Sequence, residues 1–135
     1  MISIQCILSF RNLNYEVYTD IKWMEFILGQ LIINSIKYRR KTLKLSFEAM
    51  EKDSNIVLSI SDNGIGIPPK DLNRIFEKGF TGENGRCYGK STGIGLYLCK
   101  TLCEKMNHGI KVESTYNKGT TFYIIFPKNK LVLFK

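Results

Sequence analysis

"DNGIGIPP", residues 62–69, sets a carboxylate beside two glycines separated by one apolar residue and closes on two prolines. Glycine loses more conformational freedom on ordering than any other residue, so such a cluster marks a turn or a backbone that another group approaches closely. Upstream, Leu43, Leu45, Phe47 and Ala49 alternate, "EKDSN" turns, and Ile56, Leu58 and Ile60 alternate again. That pattern predicts a hairpin whose second strand ends at Asp62. Downstream, "PKDLNRIF" (69–76) predicts a short helix opened by proline. The stretch "EKGFTGENGRCYGKSTGIG" (77–95) is punctuated by glycine and has no sustained periodicity, which predicts a mobile lid.

Working outward, Ile2, Ile4, Cys6, Leu8 and Phe10 alternate as a first strand, and "YEVY" (15–18) reads as a second, short extended piece. Thr19 or Asp20 then caps a helix over 21–40, with Met24, Leu28, Leu31 and Ser35 on its core face and Gln30, Asn34, Lys37 and Tyr38 together on a neighbouring one. Helical spacing returns in "GLYLCKTLCEKM" (95–106), and "IKVESTYNKGTTFYIIFP" (110–127) predicts a terminal hairpin with a glycine turn. This order predicts one domain over 1–135, an α/β two-layer sandwich of a mixed, mostly antiparallel sheet with helices on one face.

Composition narrows the function classes. A hydrophobic content of 44% with 24% charged residues is that of a soluble globular chain, and no apolar run is long enough to cross a bilayer. The opening residues alternate and do not form an export signal. The net charge of +8 is scattered, without the helix-long stripe or aromatic-basic sheet that nucleic-acid binding calls for. Four cysteines, at 6, 87, 99 and 103, form no CxxC pair and read as buried free thiols; with a single histidine, His108, no zinc-like ligand set is available.

Five segments, in order, carry a resemblance. "QLIINSIKY" (30–38), "DNGIGIP" (62–68), "IFEKGF" (75–80), "GKSTGIGLYLCK" (89–100) and "NKGTTFYIIF" (117–126) resemble the N, G1, F, G2 and G3 boxes of histidine kinase catalytic domains, members of the Bergerat-fold ATPase superfamily. The likeness runs from about Trp23 to Phe126 and is nearest in character to sensor kinases of peptide-antibiotic response. It implies an ATP and Mg2+ site built from these boxes.

A carboxylate at Asp62 can accept a hydrogen bond from the exocyclic amine of adenine, with Gly64 and Gly66 clearing side chains from the base's path. An Asx turn would account for "DNG" alone. The resemblance assigns the adenine contact to Asp62, magnesium ligation to Asn34, and further nucleotide contacts to Lys37, Tyr38, Ile67, Ile94 and Leu96. Asn34 offers a neutral amide oxygen suited to a hard cation that keeps most of its waters. Arg39, Arg40 and Lys41 read as a solvated helix edge. Gly93 and Gly95 precede a helix whose unpaired first amides attract phosphate. Lys90, Ser91 and Thr92 add charge and hydroxyls there, and Lys78 and Arg86 can close over the phosphates while Gly82, Gly85 and Gly89 give the lid its freedom. Thr121 matches a threonine that touches nucleotide, with core packing as the alternative. Phe76 reads as core, and Phe80 as a contact for the lid or for a helical partner.

Position 30 separates kinase from hydrolase. The related hydrolytic ATPases carry a glutamate one turn before the magnesium asparagine, whereas Gln30 has no proton affinity to activate water near neutral pH. Phosphoryl transfer to an imidazole, already nucleophilic, needs chiefly positioning and charge neutralisation. His108 is followed by Gly109 and lies between a helix and a strand, unlike an acceptor histidine with an acidic residue after it. The leading expectation is therefore a protein-histidine kinase catalytic domain of a two-component system. Its partners would be ATP, a dimerisation and phosphotransfer hairpin elsewhere in a longer, membrane-anchored protein and, indirectly, a response regulator, with the domain itself in the cytoplasm and touching neither nucleic acid nor membrane. Two alternatives stay open: a serine kinase of the anti-sigma-factor type, and a non-catalytic ATP-binding interaction module.

Overall fold

A computed structural model of the chain describes residues 5–81 and 93–128. Its elements in order are β1 (Cys6–Arg11), α1 (Ile21–Lys37), β2 (Leu43–Lys52), β3 (Asn55–Asp62), α2 (Pro69–Leu72), α3 (Gly95–Lys105), β4 (Gly109–Thr115) and β5 (Gly119–Pro127). The strands form one five-stranded sheet in the order β1-β2-β3-β5-β4. β1 runs parallel to β2, and the other neighbours are antiparallel. The predicted architecture is the observed one.

Alternation decides which face of the sheet is buried. Leu43, Leu45 and Ala49 of β2, Ile56 and Ile60 of β3, and Phe122, Ile124 and Phe126 of β5 all point inward. Met24, Ile27 and Leu31 of α1 and Cys99 and Cys103 of α3 form one cluster with the β3 and β5 residues of this set. Burying a large apolar side chain of this kind contributes about 1.5–3 kcal/mol. Burial pushes the Cys99 and Cys103 thiols up, to about 12 and about 11, which leaves them protonated and inert. Asp20 is the cap of α1, its carboxylate accepting from the Trp23 amide at 2.9 Å.

Several expectations are corrected. "YEVY" is irregular, and Val17 packs against the core without pairing. Cys6 is exposed because β1 is an edge strand that reaches past the helices, and Cys87 lies outside the described residues. The helix predicted over 69–76 stops at Leu72; beyond it the Arg74 and Glu77 amides donate to carbonyls three residues back, at 2.8 and 3.0 Å, in turns tighter than an α-helix. On α1 it is Ile27 that is fully buried, with Leu28 at the margin.

Thr19, the other cap candidate, serves His108 instead. The imidazole is 5% exposed, pairs through Nε2 with Thr19 Oγ1 at 2.9 Å and meets the Phe126 ring edge-on at 4.8 Å. Its Nδ1 has no hydrogen-bond partner among the described residues. Burial holds its pKa below the ordinary 6.5, outweighing an opposing backbone hydrogen bond at Asn107. The unfolded chain therefore takes up a proton at a pH where the fold resists it, so this contribution is intact above about pH 6.5 and is lost as pH falls towards the depressed value. Urea titrations from about pH 7 down to about pH 5.5 should show a declining midpoint, and His108→Gln should flatten the decline. An equally steep decline in the variant would assign it to other groups.

Candidate functional site

Asp62 stands at the end of β3, opposite Thr120 at the start of β5. Its Oδ1 accepts the Gly64 amide at 2.8 Å and the Thr120 amide at 3.3 Å, and its Oδ2 accepts the Ser35 hydroxyl at 2.8 Å. The Asx turn is thus present, and the carboxylate does more than close it. The loop after Asp62 is drawn against the end of α1 and the β4–β5 turn. The Ile65 amide donates to the Tyr38 carbonyl at 3.1 Å, the Asn117 amide to the Ile65 carbonyl at 2.6 Å, and the Ile67 amide to Ser114 Oγ at 2.8 Å. A Cβ on Gly64 would stand 2.7 Å from the Tyr38 carbonyl oxygen. Gly66 has φ +75°, and a Cβ there would run into the carbonyl of Thr115. Two crowded backbones and one left-handed residue explain the glycine spacing.

Along α1, Gln30, Asn34 and Lys37 share one flank by helical spacing. Gln30 rests against the start of α3, its Oε1 on Gly95. Burial lowers the Lys37 amine from its ordinary value and raises the Tyr38 phenol, and Lys37 Nζ lies 5.5 Å from the Tyr38 ring centroid. The residue at the N-cap of α3 is Ile94, which has no side-chain group to satisfy the first amides, and Leu96 is half-buried against the core. Gly93, at φ +70°, crosses the backbone of Gly79 and Phe80, and the Gly79 amide donates to the Gly93 carbonyl at 3.2 Å. The two stretches that flank residues 82–92 are therefore tied together.

Lys78 is exposed, with Nζ 5.8 Å from the Tyr97 ring centroid. Phe76 meets Phe122 edge-on at 6.3 Å, in keeping with a core role, and Phe80 is half-buried under the Arg74 guanidinium at 4.5 Å. Gly82, Gly85, Arg86, Gly89, Lys90, Ser91 and Thr92 lie outside the described residues.

The site differs from the sequence reading at three places. Thr121 points to the face away from Asp62, where its Oγ1 pairs with Ser61 Oγ at 2.8 Å; buried Thr120 is the threonine on the inner face beside Asp62. Ser35, read as core, bonds to Asp62, and a serine within an apolar stripe was the available signal. Arg40, read as a solvated edge, donates to the Gly64 carbonyl at 3.3 Å and to the Asn117 carbonyl, clamping both loops.

A carboxylate with an open acceptor position, an amide-bearing helix flank and a helix start without a side-chain cap thus lie along one end of the sandwich, an arrangement able to hold a base, a hard cation and phosphate. Residues 19–130 match the histidine kinase-, DNA gyrase B-, and HSP90-like ATPase family, and the chain belongs to it. It is 39% identical over 114 residues to the sensor histidine kinase YxdK of Bacillus subtilis (84% of this chain, 35% of the relative) and 42% identical over 115 residues to the sensor histidine kinase GraS of Staphylococcus haemolyticus (85% and 33%). The chain spans about a third of the length of these curated relatives. In fold it resembles the mycobacterial sensor histidine kinase MprB, with a TM-score of 0.77 at 22% identity over 92% of this chain and 83% of that one.

Proposed function

We propose that this chain is the single catalytic and ATP-binding domain of a sensor histidine kinase of the peptide-antibiotic-response type. It would bind Mg2+-ATP and pass the γ-phosphoryl group to a histidine on a helical hairpin outside the chain. The Asp62 cradle carries the reading: three donors fix the carboxylate while one acceptor position stays open, which suits the exocyclic amine of adenine. Family membership, the similarity to YxdK and GraS, and the fraction of their length spanned support the rest.

Phosphate would lie at the start of α3, beside Gly93 and Gly95, with Lys37 and Lys78 adding charge. Lys90, Ser91 and Thr92 are assigned to the same end from the sequence, and Tyr38, Ile67 and Leu96 to the walls around base and ribose. The donor chemistry fits magnesium: the described residues contain no cluster of three or more acidic, histidine or cysteine side chains, so an ion at Asn34 would take one protein oxygen and complete its shell with phosphate and water. Held there, the ion would supply neutralisation of phosphate charge. Gln30, packed on Gly95, would help exclude water and has no basicity to activate it, which favours transfer over hydrolysis. His108 is a poor acceptor, since it is buried with Nε2 already paired. No helix among the described residues is long and apolar enough to span a membrane; anchoring and sensing are proposed for the longer protein, the response regulator being served indirectly.

Incubating the chain with γ-labelled ATP, magnesium and the separately produced hairpin of the full-length protein should label the hairpin with acid-labile, base-stable phosphate. Base-labile phosphate on a partner serine would establish the anti-sigma-type reading instead. Adenine-selective binding without transfer to a hairpin known to be competent would leave a non-catalytic module.

A further inference from the structure

The geometry points to Ser35 as a positioning residue that sets base selectivity through Asp62, an assignment that rests on the reading of Asp62 as the adenine acceptor. Ser35 is 3% exposed, and it donates its hydroxyl hydrogen to Asp62 Oδ2 at 2.8 Å. A carboxylate offers about four acceptor positions. On Asp62 the Gly64 and Thr120 amides take those of Oδ1, and Ser35 takes one on Oδ2. What remains is a single acceptor position on Oδ2, with the carboxylate plane held from both ends.

A ligand that brings an N–H donor to that position completes the set. One that brings a carbonyl oxygen, as guanine does in place of the adenine amine, meets a lone pair with a lone pair. Without the Ser35 hydroxyl, Oδ2 has two open positions and the plane is fixed from the Oδ1 side alone, so water can satisfy the group in more than one orientation. Ser35 also follows Asn34 directly on α1. The same hydroxyl therefore ties the base-reading strand to the helix that carries the proposed metal ligand.

Ser35→Ala leaves no buried donor stranded, so the fold should tolerate it. ADP, GDP and inorganic tripolyphosphate are titrated calorimetrically into the wild-type chain and the variant. The expected result is a loss of about tenfold in ADP affinity, the lower end of what a bond from the adenine amine to a well-oriented charged acceptor contributes, with GDP and tripolyphosphate unchanged. Ser35→Cys keeps similar bulk with a weaker donor and should fall between the two, which preserves the readout if the alanine variant folds poorly. Equal weakening of all three ligands would reduce Ser35 to a structural part, and undiminished ADP selectivity in both variants would overturn the assignment. A wild-type chain that binds tripolyphosphate yet does not prefer ADP to GDP would overturn the Asp62 reading itself, an outcome distinct from the other two.

Discussion

Asp62→Asn should lower ADP affinity by about 10- to 100-fold while tripolyphosphate binding stays near its wild-type level. Two backbone amides, those of Gly64 and Thr120, aim at Oδ1 and demand an oxygen there. The new amide must then turn its nitrogen towards Ser35 and the open position. Ser35 can rotate to accept, so the protein side adjusts. The ligand cannot, because the adenine amine would face an N–H donor and two donors would be forced together. Loss of a hydrogen bond to a charged acceptor accounts for about 1.5–3 kcal/mol, the stated range in affinity. Because the lesion is confined to the base, a competition assay with ADP and tripolyphosphate separates it from general damage. Parallel losses for both ligands would show that Asp62 supports the fold and does not read the base.

How far the site was legible follows from what each residue's role depends on. The period-two hairpin and the glycine spacing are local, and they place Asp62 at a strand end from the sequence alone. Helical spacing likewise grouped Gln30, Asn34 and Lys37. Thr120 and Thr121 show the limit: a threonine doublet in an alternating strand puts one hydroxyl on each face, and which one meets Asp62 depends on the β3–β5 register, a pairing of distant residues. Ser35 and Arg40 depend on similar long-range contacts, with Asp62 and with Gly64 and Asn117. Cys6 departs from its expected burial for a related reason. Alternation predicts a strand, but whether helices cover it is set by its place at the sheet edge.

Gly93→Ala should be strongly damaging, and Gly79→Ala supplies its control. Both glycines have left-handed backbones, at φ +70° and +82°, so alanine at either costs about 1–2 kcal/mol in strain. Around Gly79 a new Cβ meets nothing within 4 Å among the described residues, whereas at Gly93 it would stand 2.6 Å from the backbone nitrogen and oxygen of Phe80. Backbone cannot rotate away as a side chain does, so an overpacking cost of about 1–3 kcal/mol is added. For a chain of 135 residues a total near 3 kcal/mol corresponds to a fall of about 10 °C in the thermal midpoint, and Gly79→Ala should show roughly half of it. Relief of the overlap requires the crossing to open. Gly79 would then part from Gly93, and the start of α3, two residues on, would shift with its amides. Tripolyphosphate affinity should therefore fall in Gly93→Ala and hold in Gly79→Ala, the reverse of the ligand pattern expected for Asp62→Asn. Matching midpoints and matching affinities for the two glycine variants would show that the crossing neither stabilises the fold nor positions the phosphate end.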